Sequence, residues 1–199
     1  RCTRTGIDRF VVGDTPMTVA QTTLDTIGHT PVVQLRRLAG DDVARVLVKL
    51  EFFNPTGSYK DRMAKAIIEA AEARGDLRPG RTVVELTGGS TGSSLALVCA
   101  IKGYPLKIVT SDAFAEEKLK TMRAFGAELI IEPSVGGQIT PDLIPRMIAR
   151  AETIERDEGA YRTDQFHNVD ALTGYRAIAE ELAGQVEETL DAFAGGVGT

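Results

Sequence analysis

Hydrophobic and polar positions along this chain fall into blocks that switch between two periods. Pro31 to Leu35 is a short apolar run and Val46 to Phe52 a longer one, both of strand character. A loop rich in Pro and Gly follows. From about Ser58 to Arg74, Ala64, Ile67, Ile68 and Ala71 recur at spacings of three and four, which makes one apolar helix face. Gly75 and the Pro79-Gly80 pair mark its end. Val83 to Leu86 reads as a buried strand, Thr87 to Gly92 as a loop, and Ser93 to Lys102 as a helix stopped by Gly103. Leu106 to Thr110 is again a strand. Ala115 to Phe125 is a helix with Gly126 as its C-terminal cap, and Leu129 to Ile131 is a strand. Pro141 to Asp157 is a helix with Thr140 placed as its N-cap, and Ala171 to Leu182 is another. Leu190 to Ala194 is expected to begin a last strand.

This alternation predicts an α/β protein with parallel strands covered by helices. In such folds ligands sit at the C-terminal ends of strands, and the glycine-rich loops fall there. The chain has 199 residues, 43% hydrophobic and 26% charged, enough for one sizeable core or two modest lobes. The net charge of −5, with both signs interspersed and no basic block, argues against nucleic-acid binding. No apolar run approaches the length that spans a bilayer. Cys2 and Cys99 show no metal-ligand spacing, and Cys99 sits in the apolar run Leu95 to Ala100 as a small core residue. Unpaired thiols and the lack of a signal-like apolar segment in Arg1 to Gly13 favour the cytoplasm. The chain starts without Met and stops in a glycine-rich motif, so we expect a fragment, inactive in isolation.

Two loops carry the candidate chemistry. In Asn54-Pro55-Thr56-Gly57-Ser58-Tyr59-Lys60-Asp61-Arg62, Pro55 and Gly57 force an irregular loop and Ser58 can cap the helix that follows. Lys60 then lies in the first helical turn, beside unpaired N–H groups and the positive end of the dipole. An ammonium is disfavoured there, and a neutral amine or an imine less so, which suits a lysine to covalent work. The local alternative is a solvated lysine on an amphipathic helix. In Thr87-Gly88-Gly89-Ser90-Thr91-Gly92, a strand, a glycine-rich loop and a helix start converge backbone N–H groups on one point. That is either an anion site or a plain strand-helix turn.

The nine residues from Asn54 to Arg62 resemble in full the lysine motif of the cysteine synthase and cystathionine β-synthase family, pyridoxal-phosphate (PLP) enzymes of fold type II. Thr26 to Leu35 resembles the family's opening segment, and Lys118 to Ile130 its passage from helix to strand. The likeness runs from about Thr23 to Thr199. It implies two three-layer αβα lobes with mostly parallel sheets. The smaller would span 54–158, and the larger, incomplete here, would take 1–53 and 159–199.

The resemblance implies Lys60 as the Schiff-base lysine and general base. Thr87, Gly88, Gly89 and Thr91 would meet a substrate carboxylate, with Gln165 from the Gln165-Phe166-His167-Asn168 segment. The family has Ser and Asn where this chain has Gly88 and Ser90. That Asn meets the cofactor ring's 3-oxygen, and the Ser90 hydroxyl has a shorter reach. Gly196, Gly198 and Thr199 resemble the start of the family's phosphate loop. His29 and His167 fall at variable motif positions, and no metal is implied. The implied reaction is β-replacement on an O-activated serine by a sulfur nucleophile, giving cysteine, in a protein that is a homodimer when full length. The alternatives are a cystathionine β-synthase-like or related β-elimination enzyme, or an inactive homologue serving as a binding partner.

Overall fold

The computed structural model describes residues 19–37 and 44–196. The first strands, β1 (Val32–Leu35) and β2 (Val46–Lys49), pair antiparallel as a two-stranded ribbon. The apolar run expected to continue to Phe52 instead turns into a short 3-10 helix, Glu51–Phe53. Its Glu51 side chain is drawn inward to Arg62, so the chain bends where the sequence reads as extended.

A four-stranded sheet follows, in the order β5-β4-β3-β6, and every pair in it is parallel. Its strands are β3 (Val83–Leu86), β4 (Leu106–Ser111), β5 (Glu128–Glu132) and β6 (Tyr161–Arg162). The helices are α1 (Lys60–Arg74), α2 (Ser90–Lys102), α3 (Glu116–Ala124), α4 (Leu143–Glu158) and α5 (Ala171–Gln185). Strand alternation sends Val83 to one face of the sheet and Val84 to the other. Val83 joins Ile108, Ile68 of α1, Leu95 of α2 and Met122 of α3 in one buried cluster. Val84, Leu86 and Val109 join Leu143, Met147 and Ala151 of α4 in a second. The result is three layers, helix-sheet-helix. Each fully buried Ile, Leu or Val contributes about 1.5–3 kcal/mol. β6 lies past Glu158, the expected lobe boundary, yet pairs with β3 in this sheet.

Several expected boundaries shift. α2 starts at Ser90, not Ser93, although Gly92 is a poor helix former. Tertiary packing accounts for this: a Cβ at Gly92 would lie 2.5 Å from Met122 Cε and 2.8 Å from Thr87 Cγ2, so glycine gives the first turn of α2 its close fit against α3 and the end of β3. α1 starts at Lys60 with Tyr59 as its N-cap, and α4 starts at Leu143 with Asp142 as its N-cap. Thr140 is therefore not the N-cap of α4; its main-chain oxygen accepts from Leu143 N–H in the turn before the helix. α3 keeps the expected place, with Gly126 (φ +90°) just beyond its Phe125 cap. Leu190 to Ala194 forms no strand. A strand needs a neighbour's N–H and C=O groups, and this segment pairs with none of the described strands.

Candidate active site

The Asn54–Arg62 loop is a cage of structural polar residues around one lysine. Asp61 is fully buried, and its carboxylate accepts from Thr56 N–H (2.8 Å) and from the Thr56 hydroxyl, closing the loop onto the helix. Asn54 accepts from Gly28 N–H (2.8 Å) and donates to Glu51. Ser58 Oγ accepts from Lys60 N–H at 3.1 Å, so the expected capping hydroxyl acts one residue outside the N-cap. Arg62 points backwards: Nε donates to Glu51 (2.8 Å) and the terminal nitrogens to Glu51 and Glu181. Lys49 Nζ also donates to Glu181, at 2.6 Å. Two cations and two carboxylates thus form a charge-balanced cluster behind α1, with Arg62 buried and the other three half-buried. Burial pushes the Glu181 carboxyl up, but hydrogen bonds from Arg62 and Lys49 outweigh it and hold the group well below the usual carboxylate range.

Lys60 alone of the motif's charged side chains faces forward. With Ser58 and Tyr59 it lines a cavity of about 260 Å³ whose opposite wall is Thr87, Gly89, Ser90 and Thr91. Its Nζ donates to the Tyr175 hydroxyl at 2.9 Å. The opposite wall is the end of β3 and the start of α2. First-turn N–H groups of a helix lack intrahelical acceptors, so those of Ser90 and Thr91 favour an anion. Thr87 Oγ1 accepts from Gly89 N–H (3.1 Å) and fixes the turn. Thr91 Oγ1 donates to Gln165 Oε1 (2.8 Å), and Gln165 Nε2 donates to Leu86 O (3.0 Å). Gln165 is therefore brought to this wall from 74 residues away.

Sequence reasoning missed what supports that wall. Glu85, 1% exposed, accepts from Thr163 Oγ1 (2.6 Å), Gln165 N–H (3.0 Å) and Leu86 N–H (2.7 Å). Burial pushes its carboxyl up, opposed by those three hydrogen bonds. The available signal was a lone carboxylate inside the apolar strand Val83 to Leu86, since a buried charge requires partners. Phe114 is the other. A Cβ on Gly88 would fall 2.0 Å from Phe114 Cγ. Gly88 is thus glycine because an aromatic ring occupies its side-chain space, and it does not line the cavity.

Gly196 is exposed and does not line the cavity; Gly198 and Thr199 lie outside the described residues. His29 N–H donates to Glu181, and the exposed His167 pairs with Asp164, so neither ring reaches the cleft. Cys99 is buried in the core, where burial pushes its thiol up to about 12. No helix among the described residues is long and apolar enough to cross a membrane.

A family described as "Pyridoxal-phosphate dependent enzyme" matches residues 23–199. The chain is 40% identical over 178 residues to a cysteine synthase of Staphylococcus aureus, covering 87% of this chain and 54% of that protein. It is equally 40% identical over 178 residues to the O-ureido-L-serine synthase of Streptomyces lavendulae, covering 88% and 53%. Among solved structures, O-ureido-L-serine synthase superposes with a TM-score of 0.77 at 38% identity, over 87% of this chain and 54% of the other. Isoform 3 of O-acetyl serine sulfhydrylase from Entamoeba histolytica gives 0.76 at 32% identity, over 88% and 52%. The chain spans about half the length of these relatives. It belongs to the pyridoxal-phosphate dependent enzyme family, among the cysteine synthase homologues of fold type II.

Proposed function

From that membership as premise, we propose that the whole protein catalyses β-replacement on an O-activated serine, with Lys60 as the residue that holds PLP. One observation carries the reading: Lys60 and the Thr87–Thr91 wall face each other across a single cleft. The cleft suits the cofactor, with a buried amine on one side and a helix start that favours anions on the other. PLP, when bound, supplies the electron sink for chemistry at the substrate's α- and β-carbons.

This chain's own residues do the rest. The main-chain N–H groups of Ser90 and Thr91 would hold the substrate carboxylate, Gln165 would brace that wall through Thr91 from outside the cavity lining, and Ser90 would offer its hydroxyl to the cofactor ring. Lys60 Nζ, once free, takes the α-proton. The β-substituent then leaves, and a nucleophile adds at the β-carbon. The named activities of the relatives make sulfide the first nucleophile to try, with cysteine as product. Gly88 and Ser90 are where this chain's loop differs from the cysteine synthase pattern, so the acceptor is tested, not assumed. The homodimer and the cytoplasmic setting rest on family membership alone.

The test uses the full-length protein with PLP. Borohydride reduction followed by peptide mapping should place a pyridoxyl adduct on Lys60, and O-acetylserine with sulfide should yield cysteine. An adduct on another lysine, or none, overturns the assignment. Turnover with homocysteine but not sulfide would move the reading to a cystathionine β-synthase-like enzyme. Lys60→Ala should reduce turnover by about 10²–10⁴-fold while leaving the fold intact.

A further inference from the structure

Lys60 does not lie free in its cleft. Its Nζ sits 5.2 Å from the centre of the Tyr59 ring and 5.5 Å from that of Tyr175, inside the range of cation–π attraction. The two rings are tilted at 51° with centroids 5.6 Å apart, and the Tyr175 hydroxyl accepts from Nζ at 2.9 Å. Tyr175 comes from α5, 115 residues later in the chain.

Two features fix α5 independently of that contact. Gly174 brings the helix down on the backbone of α1, so that a Cβ there would lie 2.5 Å from Arg62 O and 2.9 Å from Met63 N. Seven residues after Gly174, Glu181 is clamped by Arg62 and Lys49. Tyr175, next to the first of these anchors, has little freedom to turn away.

We propose that Tyr175 is a catalytic residue, the hydrogen-bond acceptor that receives the Lys60 amine whenever that amine is free. This rests on the functional reading of Lys60 given above. In the proton-transfer step the neutral amine takes the substrate's α-proton and becomes an ammonium. One of its N–H groups then points at the Tyr175 oxygen, while both rings face the new positive charge. No bond to Tyr175 forms or breaks. The phenol stays protonated throughout, because burial pushes its titration upward. The hydroxyl therefore orients the amine and holds it near the cleft, ready to return its proton.

The first readout is the reactivity of Lys60 in the full-length protein stripped of cofactor. Limited reductive methylation with formaldehyde and cyanoborohydride, followed by peptide mass spectrometry, gives the Lys60 rate relative to exposed Lys120. Tyr175→Phe keeps the ring and its packing beside Met63 and Ile67 but removes the acceptor. It should raise the Lys60-to-Lys120 ratio about threefold or more, the scale set by one net hydrogen bond. Tyr59→Phe, which removes no hydrogen bond to Nζ, should leave the ratio unchanged. In the loaded enzyme, Tyr175→Phe should lower kcat with little change in KM for the amino-acid substrate. An unchanged methylation ratio in Tyr175→Phe, or an equal rise in Tyr59→Phe, overturns the proposal. Borohydride mapping separates the two levels. An adduct on Lys60 with an unchanged ratio sinks the Tyr175 role alone, and no adduct on Lys60 sinks the functional reading with it.

Discussion

The two walls of the cleft are held in opposite ways. Behind Lys60 lies a cluster of full charges: Arg62 and Lys49 against Glu51 and Glu181. Behind Thr87 to Thr91 lie an aromatic ring and one lone acid: Phe114 packed on Gly88, and Glu85 receiving three hydrogen bonds with its carboxyl pushed up by burial. A buried ion cluster fails when one member is removed, because the others stay charged and unpaired. A wall packed around a ring fails when its volume changes. The same cleft should therefore respond to charge changes on one side and to size changes on the other.

The largest effect should come from the charged wall. Arg62→Met leaves Glu51 with neutral donors from Thr30 and Asn54, and Glu181 with Lys49 as its cation, and should cost about 3–5 kcal/mol in urea denaturation of the full-length protein. A loss under about 1 kcal/mol would mean the cluster is worth no more than a surface pair and would erase the contrast. Next comes Gly88→Ser, which forces Phe114 out of its seat and should cost about 1–3 kcal/mol. Combining it with Phe114→Ala should cost less than the two single changes added together, since the ring causes the clash. Strict additivity would show that the ring and the loop are independent.

Glu85→Gln should also cost about 1–3 kcal/mol, because an amide NH₂ must face either Leu86 N–H or the Thr163 and Gln165 donors. It should also weaken binding of the amino-acid substrate, since Gln165 loses an anchor.

The smallest effect is in the pH profile, where the walls have opposite signs. The Glu181 carboxyl is held down in the fold, so its contribution is fully present above 4.5 and is lost as pH falls below that value. The Glu85 carboxyl is pushed up, so its contribution is present below 4.5 and is lost as pH rises through its folded value. The Tm difference between wild type and Arg62→Met should shrink on acidification below 4.5. The difference between wild type and Glu85→Gln should shrink as pH rises. Parallel profiles would show that one mechanism holds both walls.

What the sequence disclosed follows the same division. The apolar periods at Ala64, Ile67 and Ile68, at Val83 to Leu86 and at Leu106 to Thr110 located their elements, because burial alone explains them. The nine-residue loop marked Lys60. The partners of its Arg62 stayed hidden, because Glu51 and Glu181 lie 11 and 119 residues away and nothing local couples them. Tyr175 and Phe114 were equally silent: each looks like an ordinary aromatic until the fold brings it against Lys60 or Gly88. The segment from Leu190 to Ala194 misled for a related reason, since its composition suits a strand but pairing depends on what lies beside it. The β-α alternation identified the layers, whereas the supports of the cleft are long-range.

Glu181 carries a further consequence, one of timing. A ribosome delivers Asn54 to Arg62 long before it delivers α5, and residues are added at about 5–20 per second. For some seconds Arg62 and Lys49 wait without their shared carboxylate, and Lys60 waits without Tyr175. The charged wall can close only when α5 arrives, so this side of the site is assembled late in the synthesis of the described stretch and not at its start. The opposite wall, built from β3, α2 and the loop to Phe114, waits only for Thr163 and Gln165, which are made before α5. During synthesis the cleft would acquire its anion-binding side first and its lysine side last.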